Sequence, residues 1–389
     1  MNYFCTDLLT NYKNKMKNLT KFAYLALSLM FVFSACSTDD DDHDHDHDHC
    51  TVDAPATYAF EHEGTSTVSY TGQAARLAKA KEVYDMMNAD LTVTSADITT
   101  LIDDANSKLV TKTAENDDNR AVIIGHLNNI FDTYAANSAA FEAGTMASEG
   151  VAGLAGSYEL DANGWEGDQL YAKMLIGALC LEQVNYDYLT KMYLDEEGFK
   201  TDRNYSDGNV YTKREHYYDE AYGYVYGLDD NDADDAINNG LLLGKYLNKH
   251  TGPGEGSGND WRGDAYNAFV MGRQAVVEDC SEVLDEQIAI INETLSKVVA
   301  WHAEDYLRDA ALELGTDGYF HSVSEAWGFV YSLQFTKMSD GTPLFTHTEV
   351  MDMITTMENG DGTGNGAYGL DANALNGMAD QIANAVSAY

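Results

Sequence analysis

Apolar residues along most of this chain recur every three to four positions, which is the helical period. Residues 73–89, 95–105 and 121–144 read as helices on that basis, the last with Ile124, Leu127, Ile130 and Phe131 on one side. Residues from about 166 to 193 form another, carrying Leu170, Met174, Ile176, Leu179 and Cys180. Further helices follow at 236–249, at about 261–279, from about 282 to 315, and at 372–387. Ser95 and Asp97 make a helix start, because a Ser oxygen caps free N–H groups. Residues 57–77 alternate differently and predict a short N-terminal β-hairpin leading into a helix. Polar stretches at 106–120, 196–211, 339–345 and 360–369 read as loops. The fold class expected is all-α.

One pattern occurs twice. His216, Glu220, Ala221, Gly223, Val225, Tyr226 and Leu228 recur as His321, Glu325, Ala326, Gly328, Val330, Tyr331 and Leu333, at a constant offset of 105 residues. Such repetition without a gap predicts an internal duplication, hence two related helical bundles. The strongest linker signal, the Gly-rich 251–260, falls between the copies. It divides a hairpin plus first bundle (55–250) from a second bundle (261–389). On a helix, Ala221, Val225 and Leu228 share one face, and aromatic residues flank it. Both motif helices should therefore be enclosed and central. Gly inside a helix costs about 1 kcal/mol against Ala. Gly223 and Gly227 thus predict the close approach of another backbone or a ligand.

His and Glu four apart on a helix meet on one face. His216, Glu220, His321 and Glu325 are the candidate metal ligands of the domain, because imidazole with carboxylate suits Fe or Zn. The other reading is a buried His–Glu hydrogen-bonded pair in each copy, with no cofactor, since buried polar groups need partners. His126 reads as a surface or satisfied core histidine. The acidic run 229–235 fails the Ca²⁺-loop pattern and reads as a helix cap. The turn 361–366 reads as a Gly-rich turn rather than a Ca²⁺ loop.

The start of the chain changes the picture. Residues 16–36 run from a basic start through an apolar stretch to Ser34-Ala35-Cys36. This describes a secretory signal at 1–35, with Met16 as the expected start and Cys36 as the lipidated residue. A tether at 36–54 follows, with His43, His45, His47 and His49 alternating with Asp, too charged to fold and able to collect metal ions. The 389-residue chain has only three Pro and a net charge of −41, which excludes nucleic acid as a partner. Cys50, Cys180 and Cys280 leave open buried thiols at 180 and 280, or a bridge between those two.

The order Thr57-Tyr58-x-Phe60, Ser66-Thr67-Val68, Gly72-Gln73, Arg76-Leu77 resembles the start of a domain-of-unknown-function family of Bacteroidota surface lipoproteins. The likeness continues through Gly164-x-Glu166, Gln169, Lys173-x-Leu175-x-Gly177-Ala178, the 216–228 motif and Gly272-Arg273-x-Ala275. Members often accompany imelysin-like proteins and iron-uptake receptors. The resemblance implies a lipid-anchored protein on the outer face of the outer membrane, with a receptor or transporter as partner. The expected function is non-enzymatic capture of metal, iron or an iron-bearing ligand. An imelysin-like metal-dependent hydrolase is one alternative. A peptide-, glycan- or receptor-binding module with purely structural His–Glu pairs is the other.

Overall fold

The computed structural model describes residues 50–389 apart from 90–91, 103–107, 204, 206–207, 229–241 and 255. The signal segment, Cys36, the four tether histidines and the acidic run 229–235 lie outside the described residues.

The domain is all-α with two small antiparallel hairpins. The short N-terminal hairpin expected within 57–77 is present: strands β1 (Glu61–His62) and β2 (Thr65–Ser66) pair in the register Glu61↔Ser66. Helix α1 (Thr71–Met87) follows, then α2 (Ser95–Ile102), the single turn α3 (Leu109–Lys112) and α4 (Arg120–Glu142). A second hairpin, β3 (Gly153–Ala155) with β4 (Tyr158–Leu160), interrupts a stretch whose pattern predicts no strand. Helix α5 (Gly167–Leu175) continues into wide π turns at Ile176–Leu181 and Gln183–Tyr188 and a 3₁₀ turn at Leu189–Tyr193.

The motif helices are α6 (Lys213–Tyr226) and α10 (Gly318–Ser332). Helix α6 opens with a reciprocal cap: Glu215 N–H donates to Thr212 Oγ1, and Thr212 N–H donates to the Glu215 carboxylate. Between the motif helices lie α7 (Leu243–Leu247), α8 (Trp261–Glu278) and α9 (Ser281–Glu313). Helices α11 (His347–Asn359) and α12 (Ala372–Val386) close the chain. Helix α11, unassigned by the pattern, also starts with a Thr-x-x-Glu cap, Thr346 with Glu349.

The described residues from 50 to 389 form one compact unit, so the Gly-rich 251–260 is a connection inside it. Helix α9 buries Leu284, Ile288, Ile291, Leu295, Val298 and Leu307 along one stripe and packs against α8, α10 and α12. Helix α10 packs on α5, and α6 packs on α1 and α8. A disulfide joins Cys50 to Cys280, with Cα atoms 5.9 Å apart, and fastens the entering chain to the α8–α9 corner. The bridge expected as one option, 180 to 280, is not formed, because Cys180 is buried as a free thiol in the π turn. Among the described residues no helix is long and apolar enough to cross a membrane.

Small residues set the helix spacing. A Cβ added at Gly177 would lie 2.5 Å from Ser332 Cα of α10, and one at Gly223 would lie 2.5 Å from Tyr70 Cβ beside α1. The close approach read from the motif glycines is therefore to protein. Gly177→Ala should cost about 1–3 kcal/mol through overpacking. Gly377→Ala, in the open on α12, should gain about 0.5–1 kcal/mol from helix propensity. Urea unfolding of the two variants checks this contrast, and equal effects would refute the packing account.

Candidate functional site

The second motif copy sits in a buried charged cluster. Lys173 of α5 places Nζ 2.9 Å from Glu325 Oε1, with both side chains more than nine-tenths buried. The Tyr246 hydroxyl donates to the same oxygen at 3.1 Å, and Tyr306 of α9 also hydrogen-bonds Glu325. His321 is half-buried, with Nε2 3.6 Å from Glu325 Oε2 and Nδ1 2.6 Å from Glu166 Oε2. The Tyr158 ring of β4 stacks on the imidazole at 5.0 Å.

Charges here tune one another. Burial pushes the Glu166 carboxyl up from its ordinary 4.5 to about 7, against the opposing hydrogen bond from His321. Burial lowers the His321 imidazole, but the bond and charge of Glu166 outweigh it, and the net direction is up. For Glu325 burial acts upward, yet the Lys173 ammonium and His321 prevail and hold it below its ordinary range. Lys173 mirrors this: burial lowers it, Glu325 raises it, and the net direction is up. The cluster behaves as a compensated ion pair beside a shared proton.

The first copy is built alike with different partners. His216 Nε2 stands 3.8 Å from Glu220 Oε1, and Gln73 of α1 donates to that oxygen at 2.9 Å. Tyr211 stacks on His216 at 4.5 Å. The neighbouring Asp219, wholly buried, accepts from Arg273 Nε at 2.8 Å, the Tyr58 hydroxyl at 2.8 Å and the Ser69 N–H at 3.1 Å. Ser324, at the equivalent place in the second copy, accepts from the Glu166 N–H at 2.9 Å. Each motif helix thus takes a backbone N–H from the start of the helix on which it lies.

These contacts bear on the metal reading. Among the described residues no three His, Cys, Asp or Glu side chains converge in an arrangement that could hold an ion. His216, Glu220, His321 and Glu325 are not brought together as one ligand set. In the second copy, Lys173 already neutralises Glu325, and its ammonium would repel a metal cation. In the second copy the donor set present therefore does not fit Fe or Zn.

A cavity of about 390 Å³ lies beside α10. The α4 face bearing His126, Asn129, Thr133 and Asn137 forms one wall, and Trp165 and Trp327 form another. Asp161 and Glu358 add carboxylates, and among the described residues no Lys or Arg lines it. Trp327 immediately follows the motif pair Glu325-Ala326, so α10 serves both cluster and cavity. His126 is a satisfied histidine, its Nδ1 2.9 Å from the Tyr331 hydroxyl, as expected, and it also lines the cavity. Sequence reasoning assigned no role to Glu166, Lys173, Asp219, Trp165 or Trp327. Glu166 and Lys173 stood among the residues carrying the family likeness, which was the available signal.

Glu166 and His321 both gain proton affinity on folding. The contribution of Glu166 is therefore full below its unfolded carboxyl value and is lost as pH rises through about 7, and that of His321 is lost as pH rises through its own raised value. Glu166→Gln should flatten the fall in melting temperature between about pH 5 and 8 relative to wild type. Melting curves across that range check it, and parallel pH profiles for both proteins would contradict the shared proton.

Comparison with known proteins places the fold in a family. No curated protein and no solved structure matches the chain. A family described as a domain of unknown function, DUF4856, matches residues 55–388, so the chain from the first hairpin to the last helix belongs to that family.

Proposed function

We propose that this chain is an exported, lipid-anchored binding protein without enzymatic activity, whose domain holds a small organic ligand in the cavity beside α10. One contrast supports this reading. The His–Glu pair of α10 is consumed by Lys173, Glu166 and Tyr246, while the adjoining cavity is lined by two Trp and several polar groups. Concave sites of a few hundred Å³ with aromatic walls and a few polar groups are the usual form of small-molecule sites.

In this reading Cys36 carries the acyl chains and the domain stands on the outer face of the outer membrane, available to a receptor or transporter. The Cys50–Cys280 bridge supports export, since disulfides persist in oxidising compartments. Capture of Fe or Zn falls to His43, His45, His47 and His49 of the tether, where imidazoles are uncommitted by sequence pattern. The hydrolase alternative loses ground because the motif carboxylate is already paired with an ammonium. We also read α6 and α10 as copies of one duplicated unit. The matched N–H contacts at Asp219 and Ser324, and the glycine contacts to α1 and α5, support it.

Titration of Zn²⁺ and Fe²⁺ into three full-length proteins tests the division of roles. The His216→Ala/His321→Ala protein should bind metal as wild type does. The variant with Ala at His43, His45, His47 and His49 should lose that binding. Metal retained without the tether histidines, and lost without His216 and His321, would overturn the reading.

A further inference from the structure

Resting on the reading of the α10 cavity as a binding site, we infer that its ligand is a small organic cation, an ammonium-bearing molecule with a ring or other apolar body. Charge, shape and wall chemistry point the same way. Among the described residues the cavity presents two carboxylates, Asp161 and Glu358, and no Lys or Arg to balance them. The whole chain carries a net charge of −41, so cations are drawn toward it from solution. An anionic ligand would meet like charge and no cationic partner.

The carboxylates are placed to be used. Asp161 is fixed by backbone N–H groups: Asn163 at 2.8 Å and Trp165 at 2.9 Å donate to Oδ1. Burial raises its carboxyl above the ordinary range in spite of those bonds. Glu358 stands at the exposed rim of α11, and its carboxyl is also raised by the bulk around it, with a hydrogen bond from the Trp327 indole opposing. Covering these groups with a neutral molecule would desolvate them further, at a cost. An ammonium group would supply the missing countercharge.

The walls fit the rest of such a molecule. Trp165 and Trp327 are both about 95 % buried, so their rings are held rather than free to swing. Trp327 is further stacked on Tyr331, with centroids 5.1 Å apart. Indole rings attract cations through the ring quadrupole and accept flat apolar groups. Asn129, Thr133 and Asn137 on α4 also line the cavity and offer amide and hydroxyl oxygens, which accept N–H donors. His126 is held toward its neutral form by burial and by His347, so it adds no positive charge at neutral pH. A volume of about 390 Å³ suits a single ring with a short chain.

A matched series tests this directly: phenethylamine, its neutral counterpart 2-phenylethanol and its anionic counterpart phenylacetate, titrated into the full chain and followed by tryptophan fluorescence and calorimetry. Phenethylamine should bind and perturb the indole emission, with the alcohol and the acid at least ten-fold weaker. Glu358→Gln lies at the exposed rim and should keep the wild-type melting temperature while weakening phenethylamine at least ten-fold. Trp327→Phe should also weaken it and remove most of the fluorescence response. Equal binding of alcohol and amine, or amine binding unchanged by Glu358→Gln, would overturn the cationic assignment and leave the cavity as a binding site. Failure of all three probes to bind at millimolar concentration would overturn both the assignment and the cavity reading.

Discussion

A buried ammonium–carboxylate pair between two tightly apposed helices governs this structure. Lys173 and Glu325 face each other at 2.9 Å across the α5–α10 seam, with Gly328 against Lys173 and Gly177 against Ser332. Either charge alone in that place would be costly, because little water reaches it. The glycines permit the approach, the approach excludes water, and the exclusion makes the pairing obligatory. Ser332 Oγ completes the seam by accepting from the Gly177 N–H at 2.9 Å and donating to the Lys173 carbonyl at 2.7 Å. The π turns begin at this point, and widening the helix leaves a carbonyl and N–H free to meet such a hydroxyl.

The same logic holds the N-terminal part of the domain. Arg273 and Asp219 are wholly buried and form the equivalent obligatory pair between α8 and α6. Tyr58 and Ser69 complete the Asp219 shell, and Arg273 reaches Thr67 at 3.2 Å, which draws the first hairpin onto the helices. The Cys50–Cys280 bridge fastens the preceding residues to the end of α8. Such a bridge contributes about 2–5 kcal/mol. The Arg273–Asp219 ion pair and one covalent bond therefore hold residues 50–69 to the helical core.

Much of the helical architecture was legible from the apolar period alone. The two motif helices were expected to be central and enclosed, and Ala221, Val225, Ala326 and Val330 are indeed buried. The partners of the motif were not legible. Lys173 lies on a helix some 150 residues before Glu325, and nothing local marks a lysine as buried. Asp219 sits within the motif but is replaced by Ser324 in the second copy, so repetition drew attention away from it. Trp327 reads as one more aromatic on a central helix until α4 and α11 place it against a cavity. The hairpin at 153–160 was missed because Gly153–Leu160 holds no β-branched residue, whereas Thr65, Thr67, Val68 and Thr71 mark the first hairpin.

The pairing with Lys173 makes the motif carboxylate of Glu325 a charge-compensating group. Urea unfolding at pH 7 of Lys173→Met, Glu325→Leu and the double variant tests it most directly. Each single change leaves one buried charge uncompensated and should lose about 3–5 kcal/mol, whereas the double variant should be more stable than either single one. Losses that simply add in the double variant would contradict the pairing and the account built on it.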